Sequence, residues 1–347
     1  MFQKRLLVVS SHRAGTGIDT LDTAAFFAKY PYSLGAITYN LERLGWTTRR
    51  LGMVNSRNPW RLARIIDEFQ PDIIYTYGSL TAMNPLWARR WLCRHRAFRV
   101  VHGWDDIYGD IWRDVYGWLP GKFMEGMERV IVTRSDAVVT LSRYHQQIGR
   151  RWGVESHYIP NGADIPQFDT AASTIRLEGR LKIVYTGDAA RWKRTWEICA
   201  AMRHLPPEIK LYRTGGHYAE LDQYNSENCI YLGYLSKNDQ LSVMAQADVL
   251  VVTADQDCNA KIQEYLRFHK PILGYDGRAN LFFANGRNAL LTRDYPTAIR
   301  RLADDPALRQ QLVEHADREL PVHTWAEIAA QFDACFRSVA GEGAGRS

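Results

Sequence analysis

Short apolar runs alternate with longer amphipathic stretches along this chain, and the alternation restarts once. In the first half, residues 6–10, 71–77, 99–102 and 137–142 read as buried strands, flanked by 47–54 and 156–160. Between them, residues 23–43 place Leu34, Ile37, Leu41 and Leu44 on one helical stripe. Asn58-Pro59 opens a helix through Phe69, and residues 85–96 and 121–134 read as further helices. After a turn-rich break over residues 161–180, strands return at 181–187, 209–212, 229–232, 249–253 and 271–275. Helices are expected at 195–204, 237–247, 262–268 and from 296 onward.

Repeated β–α alternation with short apolar strands predicts the α/β class, with parallel sheets covered on both faces. The expected organisation is two Rossmann-like domains, residues 1–165 and 166–322. Residues 323–339 form a closing helix, and the Gly-rich tail 340–347 is expected to be disordered. Ligands of such sheets bind beyond the C-terminal strand ends, here in a cleft that the two domains are expected to face.

The composition is that of a soluble globular enzyme: 46% hydrophobic and 24% charged over 347 residues. No apolar stretch reaches the ~18 residues of a membrane span. Residues 1–5 run directly into a strand, so no signal peptide is expected. The five cysteines show no metal spacing, which fits free thiols in a reducing cytosol and a cytoplasmic location. The net charge of +6 sits in residues 1–178, and residues 179–347 balance. The partner of the first half is therefore expected to be acidic; an anionic head group, a phosphorylated acceptor and nucleic acid all fit. Within that half, residues 85–96 are basic and aromatic. Trp87 and Trp91 either pack on the sheet or dip into a membrane interface at the inner face of the cytoplasmic membrane. Nothing resembles a nucleic-acid recognition module.

Candidate chemistry gathers at strand ends. Asp257, Asn259, Lys261, Ile262 and Glu264 span a loop and the helix that follows a buried strand. Free amides at a helix start, with Lys261, suit an anion, and Glu264 one turn on suits a vicinal diol. Together, anion and diol describe a nucleotide sugar; the plain alternative is a strand–loop–helix with solvated charges. Gly187, with Arg191, Lys193 and Arg194 close behind, stands where a phosphate-binding loop belongs, or is a solvated basic loop. Gly215-Gly216 lets backbone approach a ligand or makes a plain turn. Gly15-Thr16-Gly17 follows the first strand as a flexible glycine loop beside the cleft. His102 is expected at the end of its strand, facing the cleft, with Asp105 or Asp106 orienting it or binding sugar hydroxyls. Asp255-Gln256-Asp257 spells DxD, a metal-binding pattern elsewhere; here it precedes a helix, and no metal or other cofactor is expected.

Taken together, these segments resemble the retaining GT-B glycosyltransferases of family 4. Ile159-Pro160-Asn161-Gly162-Ala163-Asp164 resembles the family's IPNGVD. Tyr185-Thr186-Gly187 with Lys193 resembles its phosphate loop, and Lys261-Ile262-Gln263-Glu264-Tyr265 with Lys270-Pro271-Ile272 its donor motif. Asn285-Gly286 with Leu290 resembles its NG-x-L, and Trp325 the start of a last helix that returns to the N-terminal domain. The resemblance implies an acceptor-binding first domain and a donor-binding second domain. It places Glu264 on the ribose hydroxyls, Lys193 on the diphosphate, His102 beside the transferred sugar and the amides of residues 259–262 on sugar and phosphate. The implied activity is hexose transfer from a nucleotide diphosphate sugar to a hydroxyl acceptor with retention. A saccharide or lipid-linked glycan of the cell surface is the expected acceptor. Two positions depart from the pattern: Asp188 stands for the Arg after the glycine, and Gln256 for the first acid of E-x7-E. A sugar-nucleotide 2-epimerase of the same fold and a non-catalytic nucleotide-sugar-binding protein are the alternatives.

Overall fold

The computed structural model describes residues 3–11, 18–258 and 260–341. The chain forms two compact units, one of residues 1–162 with 323–347, the other of residues 163–322.

The first unit is built on six parallel strands. These are β1 (Arg5–Ser10), β2 (Thr47–Leu51), β3 (Ile73–Tyr77), β4 (Arg99–Trp104), β5 (Ala137–Thr140) and β6 (His157–Tyr158), in the order β2-β1-β3-β4-β5-β6. Successive side chains of a strand point to opposite faces. Leu6, Val8, Ile73, Tyr75, Val101 and Val139 therefore pack on one side, against the Ser33–Arg43 and Trp325–Ala340 helices. Leu7, Val9, Ile74 and Val100 pack on the other, against Pro59–Phe69 and Ser79–Trp91. On that same side Trp104 and Val138 meet Val132 of the Trp118–Arg134 helix. Both sheet faces are covered, which is why the strands read as unbroken apolar runs.

The last helix belongs to this first unit. Thr324 and Glu327 form a reciprocal capping box at its start, and Trp325, Ile328, Phe332 and Phe336 enter the core. A Cβ on Gly162 would lie 3.0 Å from the Trp325 ring and backbone, so two of the resembling motifs meet here. Ala340 is the final helical residue and Gly341 caps it in the left-handed conformation; residues 342–347 of the expected tail lie outside the described residues.

In the second unit the strands are β7 (Leu181–Thr186), β8 (Ile209–Thr214), β9 (Cys229–Tyr231), β10 (Val249–Val252), β11 (Ile272–Tyr275) and β12 (Leu290–Thr292). All are parallel, and the order β9-β8-β7-β10-β11-β12 is that of dinucleotide-binding Rossmann sheets. The order reverses between β7 and β10, which opens a crevice at their C-terminal ends.

Three sequence expectations change. The helix expected over 23–43 is two, Thr23–Lys29 and Ser33–Arg43, because Pro31 holds the preceding Tyr30 out of the helical region. The helix expected from Pro85 starts at Ser79 with Pro85 inside it, and ends at Trp91. Gly78, at a φ of 87°, turns the chain straight from β3 into that helix. The strand expected over 47–54 stops at Leu51, and Met53–Ser56 coils instead.

Candidate active site

The switch point of the second sheet is lined by glycines. Gly187 follows β7 and donates its N–H to the Thr214 carbonyl at 2.9 Å. Gly215 follows β8, and a Cβ there would stand 2.1 Å from the Gly187 carbonyl oxygen. Both have positive φ, 127° and 121°. Only glycine allows the two loops to nest this way. Gly215→Ala is expected to cost on the order of 3 kcal/mol of stability, read as a lowered midpoint of thermal unfolding.

The loop after Gly187 carries the cations. Arg191–Lys193 forms a single 3-10 turn. Thr253, just past β10, donates its hydroxyl to the Lys193 carbonyl at 2.6 Å and so ties the turn to the far wall of the crevice. The Lys193 ammonium lies 3.7 Å from Asp188, whose other oxygen accepts from the Tyr218 hydroxyl. That bond, more than burial, pushes the Tyr218 phenol up to about 12. Arg191 is solvent-exposed at the same turn.

The Ala260–Leu266 helix brings its charges to the same place. Tyr265 is its anchor: its hydroxyl accepts from the Thr186 N–H at 2.9 Å. Lys261 runs along Gly187, its Cε 3.8 Å from where a Cβ there would sit. Its ammonium donates to Glu264 Oε2 at 2.5 Å, and Lys237 donates to Oε1 at 2.5 Å. Burial alone would raise the Glu264 carboxyl; the two ammonium groups outweigh it and hold the group below its usual range. Lys237 is a site residue that the sequence reading does not single out. It opens the Lys237–Gln246 helix, where a cation faces an unfavourable dipole. No spacing in the sequence links it to Glu264.

The other expected donor residues divide. Asp257 is buried in the loop before the helix. Ile262 points its side chain into the core, leaving only its backbone for a ligand. Asp255 accepts from the Arg278 N–H at 2.6 Å, so half of the DxD is spent on the fold. Among the described residues no group of three or more His, Cys, Asp or Glu is placed to hold a metal ion. Gly17 and Asn259 lie outside the described residues.

In the first unit the expectation for His102 is corrected. β4 runs two residues further, to Trp104, so His102 lies within the strand and is wholly buried rather than facing outward from its end. Its Nδ1 sits 2.8 Å from the Thr76 hydroxyl, and burial pushes the ring down to about 3, so it is neutral. The strand end belongs instead to Asp105, which lines a narrow crevice with Ser33, Tyr75, Tyr77, Asn161 and Trp325. Burial, then Asp106, raises the Asp105 carboxyl well above its usual range. Beneath it, Glu128 accepts from the Tyr108 and Gly109 N–H groups, at 3.0 and 2.9 Å, and from Trp104 Nε1 at 3.2 Å. Burial raises it to about 7 even so.

These groups set a pH dependence. A carboxyl whose pKa is raised in the fold keeps its proton after the unfolded chain has lost it, so stability falls as pH rises toward the folded value. His102 works oppositely, and only below its ordinary 6.5. Between about pH 6.5 and pH 8 His102 no longer contributes, and the two carboxyls are expected to lower the thermal midpoint of the protein. Glu128→Gln is expected to flatten that slope in a pH series of unfolding curves.

Comparison with known proteins agrees with the two sheets. Residues 25–167 match the model of Glycosyltransferase Family 4. No curated protein matches the chain in sequence. Among solved structures, a sucrose-phosphate synthase from Thermosynechococcus elongatus superposes with a TM-score of 0.76 at 16% identity, over 98% of this chain and 100% of that one. Anabaena HepE in complex with UDP-glucose gives a TM-score of 0.65 at 17% identity, over 96% and 99%. A putative UDP-N-acetylglucosamine 2-epimerase from Listeria monocytogenes gives 0.58 at 10% identity, over 98% and 97%. The family match thus lies in the first unit, and the chain as a whole has the GT-B fold of two Rossmann-like sheets.

Proposed function

We propose that the protein transfers a hexose from a nucleoside diphosphate sugar to a hydroxyl acceptor with retention, in the synthesis of a cell-surface glycan or glycolipid. The observation that carries this reading is the cluster at the second unit's switch point. There Lys193, Lys261 and Glu264 converge on two nested glycine loops. Glu264 holds Lys261 and Lys237. A diphosphate competes for those ammonium groups, and the carboxylate it releases is then free to accept from the ribose diol. Lys193 and Arg191 stabilise the charge that builds on the leaving diphosphate. The leaving phosphate oxygen takes the acceptor proton, so no strong protein base and no metal is needed. HepE, of like fold, was crystallised with UDP-glucose, which supports a UDP-sugar as the donor to try first. The first unit takes the acceptor, a saccharide or lipid-linked glycan, and Asp105 in its crevice offers a hydroxyl-binding group.

The 2-epimerase reading predicts that donor is consumed without acceptor. The test is nucleoside diphosphate release from a UDP-sugar with and without an added glycan acceptor. Release that rises with acceptor supports transfer. Conversion of the sugar at full rate in its absence overturns it.

A further inference from the structure

The helices on one face of the first sheet carry an outer surface that the donor site does not use. The Pro59–Phe69, Ser79–Trp91 and Trp118–Arg134 helices all pack on that face, so their opposite sides form one outer layer. That layer exposes large apolar groups. Trp60 is 69% exposed, Trp87 42% and Trp91 56%. Around the turn joining the Tyr108–Tyr116 and Trp118–Arg134 helices, Tyr116, Trp118, Leu119 (71%) and Phe123 are exposed as well. The alternative in which Trp87 and Trp91 pack on the sheet is thereby corrected.

Two stretches of the layer carry charge of one sign. Residues 53–64 and 79–96 contain seven arginines and no carboxylate. Asp136 answers Arg89, and Asp67 answers Arg96 at 2.8 Å. Arg57, Arg61, Arg64, Arg90 and Arg94 are exposed and meet no carboxylate among the described residues. Arg90 and Arg94 lie over the Trp91 ring, 4.9 and 5.3 Å from its centre. A second copy seated here by two-fold symmetry would set these arginines against their own equivalents. Nucleic acid would answer the arginines and leave Leu119 and Phe123 in water. A lipid surface with anionic head groups satisfies both: indoles settle at the interface, arginines meet phosphates and the apolar turn enters the acyl boundary.

We propose that this layer docks the protein on an anionic lipid bilayer, with the 116–123 turn as its inserted tip. The inference is independent of the donor reading, since it uses no residue of the second unit. The full chain is sedimented with vesicles of phosphatidylcholine alone or mixed with phosphatidylglycerol. It is expected to pellet with the mixed vesicles only, with a blue shift of tryptophan emission. Arg61→Ala, Arg90→Ala and Arg94→Ala should each lower partitioning about 5-fold. The Trp118→Ser, Leu119→Ser double variant should lose the binding that survives high salt. Unchanged thermal unfolding shows that the variants are folded. Equal pelleting with both vesicle types, no pelleting with either, or variants that bind like the parent overturns the proposal. A change of the variants from dimer to monomer without vesicle binding overturns it in favour of a contact between copies.

Discussion

Glu264→Ala is expected to lower kcat/KM for the nucleotide sugar by about 10²-fold, the loss of two charge-assisted hydrogen bonds to a diol. The structure makes the effect separable. Glu264 holds Lys261 and Lys237, and its removal leaves both ammonium groups to an anion. Inorganic diphosphate should therefore bind the variant as well as it binds the parent, or better, while a nucleoside without phosphates should lose its affinity. The lysine side chains are partly in water, so stability should change by no more than about 1 kcal/mol. Calorimetric titration of the two half-ligands checks the split. Equal losses for both would mean that Glu264 shapes the site rather than reading the ribose.

Lys193→Ala carries the second large effect, in kcat rather than KM. Its carbonyl is fixed by Thr253 at 2.6 Å, so the backbone of the turn stays in place when the side chain is cut. On the proposed reading, what is lost is a preplaced cation for the departing diphosphate, a change worth about 10² to 10³ in kcat. Arg191 is exposed at the same turn, so Arg191→Ala should cost less, and the double variant should fall short of the product of the two. Steady-state kinetics on the three variants tests this. A Lys193→Ala enzyme with parental kcat and raised KM would place the lysine in ground-state binding only.

The parts of this molecule legible in sequence are those fixed by local chemistry. Buried strands such as β1 and β10 announce themselves because both faces are covered, and Asn58-Pro59 starts a helix where capping rules put it. The single helix over 23–43 failed because Pro31 outweighs an apolar stripe on either side of it. Pro85 reads as a helix start, but tertiary packing of Thr81, Ala82 and Ala88 carries the helix through it. Of the candidate site, the cations and Glu264 stand out in sequence by their place just after buried strands and at a helix start. The Lys237 partner does not, since it lies on another helix and no periodicity links the two. His102 shows the limit of placing a residue by the end of an apolar run. Gly103 and Trp104 continue the strand, Trp104 because its ring is buried against Val132 and Val138. The nesting of Gly187 and Gly215 depends on the pairing of β7 with β8, a feature of topology rather than of either sequence segment.

The central claim is that the switch point of the second unit holds a nucleoside diphosphate sugar through Glu264. Thermal unfolding with UDP-, GDP-, ADP- and dTDP-sugars, on the parent and on Glu264→Ala, tests it most directly. The account predicts that one nucleotide class raises the midpoint of the parent and leaves that of the variant unmoved. Stabilisation by none of the four, or equal stabilisation of parent and variant, would contradict it.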